Sequence, residues 1–206
     1  MRSANRWEDH YTRRARDEKW LARSVYKLEE MDRRFGLIRA GDRLLDLGCY
    51  PGSWSQYCIR RVGPTGEVVG VDLKEPDRLG ASNFTFIKAD VLSLDILRLA
   101  EEMGPRDVVV SDLAPQTTGI AVSDVSRSLE LAGRALAIAS ATLKAGGHFL
   151  CKVFEGEGTQ AFRKDLSCRF QKSRIIRPAA VRKASREIYF LGIHFLERRQ
   201  GSCDRF

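Results

Sequence analysis

From Arg43 onward the chain alternates short apolar runs with stretches of helical periodicity, and this alternation sharply limits the folds open to it. Arg43–Leu47 reads as a strand, followed by a Gly/Pro turn and a helix over 53–62. Glu67–Asp72 and Phe84–Lys88 read as two more strands, with a helix over 93–103. The run DVVVSDL at 107–113 is apolar enough for a strand buried on both faces. Val122, Val125, Leu129, Ala132, Leu136, Ala139 and Leu143 then recur at steps of three and four, which predicts a long helix closed by Lys144 and Gly146-Gly147. A strand at 148–154, a helix at 158–168 and strands at 174–177 and 188–196 complete the pattern. Upstream, Leu21, Val25, Leu28, Met31 and Phe35 mark an amphipathic helix over 22–35, with Lys27 away from its apolar stripe.

The expectation is an α/β fold with a mostly parallel seven-stranded sheet and helices on both faces. No helical pattern separates the last two strands, so they should pair as neighbours with the final strand antiparallel. Ligands of such sheets bind beyond the carboxyl ends of the strands. The residues at those ends are therefore the informative ones.

The first strand runs into Asp46-Leu-Gly48-Cys-Tyr-Pro51-Gly52-Ser-Trp54. A glycine turn between strand and helix suits a nucleotide-type ligand. Tyr50 and Ser53 stand where a dinucleotide fingerprint needs its second and third glycines, so the turn fits a nucleoside without a pyrophosphate. Asp72 ends the second strand, where a carboxylate can accept both hydroxyls of an adenosine ribose. Asp90 follows the third strand, within reach of an adenine amine. Either acid alone could equally cap a helix or close a turn. Asp46, Asp72 and Asp90 at successive strand ends beside a glycine turn point to S-adenosylmethionine, a cationic cofactor that an acidic pocket suits.

Lys152 interrupts the apolar run FLCKVF, Asp112 closes the strand before Leu-Ala-Pro, Glu187 opens the last strand, and Lys27 lies on the first predicted helix. Singly, each could be a snorkelling or capped charge. Together they could form a paired Lys–Asp–Lys–Glu cluster, which lowers the cost of burying each charge.

SVYKLEEMD, DLGCYPGSWSQ, VVVSDLAP, FLCKVFEGEG and SREIYF occur in an order and spacing that resemble the FtsJ/RrmJ (RlmE) family of ribosomal RNA 2′-O-ribose methyltransferases. The resemblance spans about Arg23 to Phe195. It implies a Rossmann-like S-adenosylmethionine-dependent methyltransferase fold and a catalytic tetrad at Lys27, Asp112, Lys152 and Glu187. It implies cofactor contacts at Gly52, Trp54, Asp72, Asp90 and Asp112. It also implies a substrate, the ribose of a uridine in the A-loop of 23S rRNA within the 50S subunit. Cys49 and Tyr50 depart from the small residues familiar in bacterial members, and Ser53 from glycine. A tRNA ribose methyltransferase and a non-catalytic RNA-binding assembly factor are the alternative readings.

Charge is divided along the chain: residues 1–39 carry a balance of +4, residues 40–159 of −4 and residues 160–206 of +8. Uneven charge can be only a solvated surface, and charge alone does not separate RNA, DNA and membrane. With the resemblance, the basic ends are read as an RNA grip without a DNA or membrane partner. Arg13, Arg14, Arg16 and Arg23 would act from one end, with Arg182, Lys183 and Arg186 from the other. Five cysteines lack CxxC spacing and the three histidines form no HExxH pattern, so no metal is expected. With no apolar leader or spanning run a cytoplasmic protein is expected, and the length suits one methyltransferase domain over 1–206. No helix stripe is left over for a partner, so a monomer is expected. Residues 1–20 should form a basic extension, loosely ordered unless RNA or a partner fixes it.

Overall fold

The computed structural model describes residues 6–76 and 79–196. Seven strands form one sheet: β1 (Arg43–Leu47), β2 (Glu67–Asp72), β3 (Phe84–Lys88), β4 (Arg106–Ser111), β5 (Leu143–Phe154), β6 (Phe170–Ile176) and β7 (Glu187–Phe195). Their spatial order is β3-β2-β1-β4-β5-β7-β6. Neighbours from β3 through β5 pair in parallel, while β7 runs antiparallel to both β5 and β6. The expected sheet, including its antiparallel last strand, is the one formed.

Strand alternation divides the core into two layers. On one face Leu44, Val68, Val108, Val110, Leu150 and Tyr189 pack under α1 (Arg6–Asp17), α2 (Val25–Phe35) and α3 (Ser53–Val62). On the other, Leu45, Leu47, Val109, Phe149, Cys151 and Phe190 pack under α4 (Ile96–Met103), α5 (Ala121–Thr142) and α6 (Thr159–Arg169). The chain returns on opposite faces from β1, by α3 to β2, and from β4, by α5 to β5. The crevice between the ends of β1 and β4 is thus a topological switch point.

Three expectations need correction. Residues 1–5 of the segment expected to be loosely ordered lie outside the described residues, and the described part carries α1, whose Ala15 is buried and whose Tyr11 ring meets Tyr26 of α2. Arg14, expected to act in the RNA grip, lies 4.4 Å above the Tyr26 ring and bonds Glu18, so its charge is used locally. The helix expected from residue 93 begins at Ile96, because Asp95 caps it through the backbone N–H groups of Leu97 and Arg98. Lys144 and Gly146-Gly147 do not close α5; they belong to β5, where Leu143 already pairs with Arg106. A Cβ on Gly147 would come within 2.9 Å of the Asp107 carbonyl, so this glycine permits close strand approach.

Candidate active site

The site begins with the register of β5 and β7. Lys152 lies directly opposite Tyr189, and Phe154 opposite Glu187. Residues opposite each other share a face, and Glu187 and Tyr189 are two apart on one strand. Lys152, Tyr189 and Glu187 therefore project together on the α2 side of the sheet. Asp112 follows the last residue of β4, held by its N–H donating to the Leu47 carbonyl at 3.2 Å. Lys27 reaches in from α2.

These groups form two ion pairs joined by a phenol. Lys152 Nζ donates to the Asp112 carbonyl at 2.6 Å and to Oδ1 at 2.9 Å. Lys27 Nζ meets Glu187 Oε1 at 2.5 Å, with each side chain only 13% and 12% exposed. The Tyr189 hydroxyl lies 2.9 Å from Asp112 Oδ1 and 2.7 Å from Glu187 Oε1. All four residues expected to form a tetrad are thus brought together. The sequence reading missed Tyr189, although its position two residues after Glu187 was a usable signal.

Burial works to raise the Asp112 carboxyl, but the Lys152 and Lys27 cations and bonds from Lys152 and Tyr189 outweigh it. Asp112 is consequently held below its ordinary value and stays ionised. Burial, then the charges of Asp112 and Glu187, push the Tyr189 hydroxyl well above its ordinary value. It remains a donor. With one proton, it can donate to only one of the two carboxylates at a time.

Asp112 also lines a cavity of about 530 Å³, with Gly48, Tyr50, Asp72, Asp90 and Pro115 among its walls. Gly48 has φ +79, and a Cβ there would meet Leu113 at 2.8 Å, so the loops after β1 and β4 close together only over glycine. Asp72 accepts the Tyr50 N–H at 2.9 Å on Oδ2 and the Lys74 N–H at 3.1 Å on Oδ1. Each oxygen keeps a lone pair for a ligand hydroxyl. Asp90 Oδ1 accepts the Leu92 N–H at 3.0 Å, which fixes that carboxylate in its turn. Carboxylates, a glycine floor and apolar walls such as Leu113 and Val91 fit a cationic adenosine derivative.

Two expected contacts stand behind this wall. Trp54 is buried, donates its indole N–H to the Ser24 carbonyl at 2.9 Å and packs against Tyr189. Gly52, with φ +112, leaves room for Leu21, Pro76 and Leu79. Asp46, grouped with the pocket acids by its position near a strand end, is fully buried on the α3 face. Its Oδ2 accepts the Ser55 hydroxyl at 2.6 Å, and burial pushes its carboxyl up to about 7. Alternation along β1 places it under α3, so it supports the loop from below. Cys49, Cys58 and Cys151 are buried and Cys168 is exposed, while Cys203 lies outside the described residues.

A second cavity, of about 460 Å³, includes Arg23, Lys27, Arg182 and Glu187 in its lining. The tetrad consequently sits between an acidic cavity and a basic one.

The chain matches the family described as FtsJ-like methyltransferase over residues 20–195. It is 48% identical to a ribosomal RNA large subunit methyltransferase E of Desulfatibacillum aliphaticivorans, over 91% of each chain. It is 43% identical to a protein of the same name from Bdellovibrio bacteriovorus, over 90% of this chain and 95% of that one. A solved structure from Plasmodium falciparum, described as a ribosomal RNA methyltransferase, superposes with a TM-score of 0.77 at 27% identity. It covers 87% of this chain and 100% of that one.

Proposed function

The chain belongs to the FtsJ-like methyltransferase family, and from that premise we propose that it methylates the ribose 2′-hydroxyl of a uridine in the 23S rRNA of the large ribosomal subunit, using S-adenosylmethionine. The observation that carries the reading is the Lys152–Asp112 pair at the edge of the acidic cavity, joined through Tyr189 to Lys27 and Glu187. We assign the work to one methyltransferase domain acting as a monomer in the cytoplasm. No helix among the described residues is long and apolar enough to cross a membrane.

When bound, S-adenosylmethionine supplies an electrophilic methyl group on a positively charged sulfur. The protein's part is to hold an acceptor oxygen in line with it, and alignment of this kind contributes roughly 7–11 kcal/mol. Asp72 and Asp90 hold the nucleoside end, with Gly52 and Trp54 supporting the loop that shapes it. Asp112 anchors Lys152, which keeps one N–H position beyond its two bonds to Asp112. That position steers, and on transient deprotonation of the ammonium accepts, the hydroxyl proton. Lys27 and Glu187 orient the ribose, and Tyr189 fixes the spacing between the two carboxylates. Basic side chains at the two ends hold RNA phosphates.

The test is transfer of labelled methyl groups to large subunits from cells lacking the modification. Label on the 2′-oxygen of a 23S uridine supports the reading. Label on transfer RNA alone moves the substrate, and cofactor binding without any transfer overturns the enzymatic reading.

A further inference from the structure

The two cavities flanking the tetrad carry opposite charge. Asp72, Asp90, Asp112 and Glu130 on the first outnumber its one cation, Arg127. On the second, Arg23, Lys27 and Arg182 outnumber Glu187, which Lys27 already pairs. The contrast across a few side chains favours a cation on one side and an anion on the other.

Arg23 is fixed before any ligand arrives. Its Nη2 donates to the Ala180 carbonyl at 2.9 Å, and its guanidinium lies 5.5 Å from the centre of the Tyr11 ring. Its Nη1 is buried and has no hydrogen-bond partner among the described residues. A buried donor of this kind needs a physical explanation, and an anion oxygen would satisfy it. Ser185, in the same lining, accepts the Glu187 N–H at 3.2 Å and so keeps its hydroxyl proton to donate, while Ser24 shares its hydroxyl with Ser53 at 2.8 Å. Arg23 belongs to the N-terminal part of the chain and Arg182 to the C-terminal part, so the fold gathers both basic ends around one cavity.

We propose that this cavity is a site for a single phosphate, the one attached to O3′ of the nucleotide being methylated. The assignment rests on the function proposed above. On a ribose, O2′ and O3′ occupy adjacent ring carbons, whereas the 5′-phosphate hangs from an exocyclic carbon across the ring. With O2′ at Lys152, the nearest anion is therefore the 3′-phosphate. Lys27 and Glu187 belong both to the tetrad and to this cavity, so the phosphate and the reacting oxygen are set by one group of side chains. Gripping that phosphate registers the ribose for in-line transfer.

The site is tested by RNA binding, measured apart from turnover. Log affinity for undermethylated large subunits is followed against log salt concentration for the wild type, Arg23→Gln, Arg182→Gln and the double variant. One single-stranded phosphate accounts for about 0.7 of the slope. Each single variant should lose about that amount and the double variant no more, because both arginines serve one phosphate. Losses that add in the double variant, or no loss, overturn the single site. Calorimetry with the wild type loaded with S-adenosylhomocysteine supplies a measurement that needs no variant. Uridine 3′-monophosphate should bind about tenfold more tightly than uridine 5′-monophosphate, and equal or reversed affinities overturn the assignment. Wild-type methyl transfer to the same subunits reports on the underlying function. Its absence sinks that function, whereas transfer with an unchanged slope sinks the phosphate site alone.

Discussion

Lys152 commits two hydrogen bonds to Asp112, one to its backbone carbonyl at 2.6 Å and one to its carboxylate at 2.9 Å. The backbone bond ties the ammonium to the end of β4, so Lys152 remains placed even if the carboxylate shifts. Asp112→Asn should destabilise the protein by about 3 kcal/mol, since breaking a buried pair leaves an uncompensated charge. The sign with pH follows from the lowered Asp112 carboxyl. Its stabilisation is present above the ordinary carboxylate range and is lost as pH falls through the folded value. Urea midpoints should show the wild type losing its advantage over Asp112→Asn in acid. A difference independent of pH would contradict this.

Tyr189 links the two ion pairs, and its effect should be separable from folding. Tyr189→Phe keeps the ring against Trp54 but removes the donor between Asp112 and Glu187. A hydrogen bond to a charged group contributes about 1.5–3 kcal/mol, so methyl transfer should fall roughly tenfold to a hundredfold. Cofactor affinity should change little. Single-turnover rates with calorimetric cofactor binding check the split, and an equal loss in both would count against a positioning role.

Asp46 predicts the opposite pH behaviour. Its folded carboxyl is pushed up to about 7, chiefly by burial, so the folded protein binds a proton that the unfolded chain releases in the ordinary carboxylate range. Its contribution is fully present below that range and is lost as pH rises towards 7. Asp46→Asn removes this titration. The variant should gain stability relative to wild type between about pH 4 and 7, read as the difference in denaturation midpoints. A constant difference across that window would refute the assignment.

Tyr50 stands 39% exposed at the mouth of the acidic cavity, with Lys74 Nζ 2.7 Å from its hydroxyl. Tyr50→Ala retains the backbone N–H that positions Asp72 and removes only the ring. Affinity for S-adenosylhomocysteine should weaken about two- to tenfold, the scale of one lost aromatic contact. Unchanged affinity would place the ring outside the cofactor's reach.

The sheet was legible because its strands are apolar runs between clear turn signals, and the tetrad because the motifs around Lys27, Asp112, Lys152 and Glu187 resemble those of a known family; of the four, only Lys152 interrupts an apolar run. Residues whose roles depend on partners distant in sequence were harder to read. α1 is strongly polar, and its order depends on Tyr26 and Glu18 rather than on periodicity. Strand β6 lies at a sheet edge and carries four consecutive polar residues, Gln171 to Arg174, so only its later part was recognised. Asp46 and Asp72 look alike at strand ends, yet one lies under α3 and the other lines the cavity. Only the packing of a helix over one face distinguishes them.

The central claim is that the Lys152–Asp112 pair prepares a ribose hydroxyl for methylation. The direct measurement compares wild type with Lys152→Ala in labelled methyl transfer to undermethylated large subunits, alongside cofactor affinity for both proteins. The account predicts label on a 23S uridine ribose, a loss of at least about a hundredfold in the variant and cofactor affinity within a few-fold of wild type. A variant that transfers methyl groups at the wild-type rate, or loses cofactor binding in step with turnover, would contradict it.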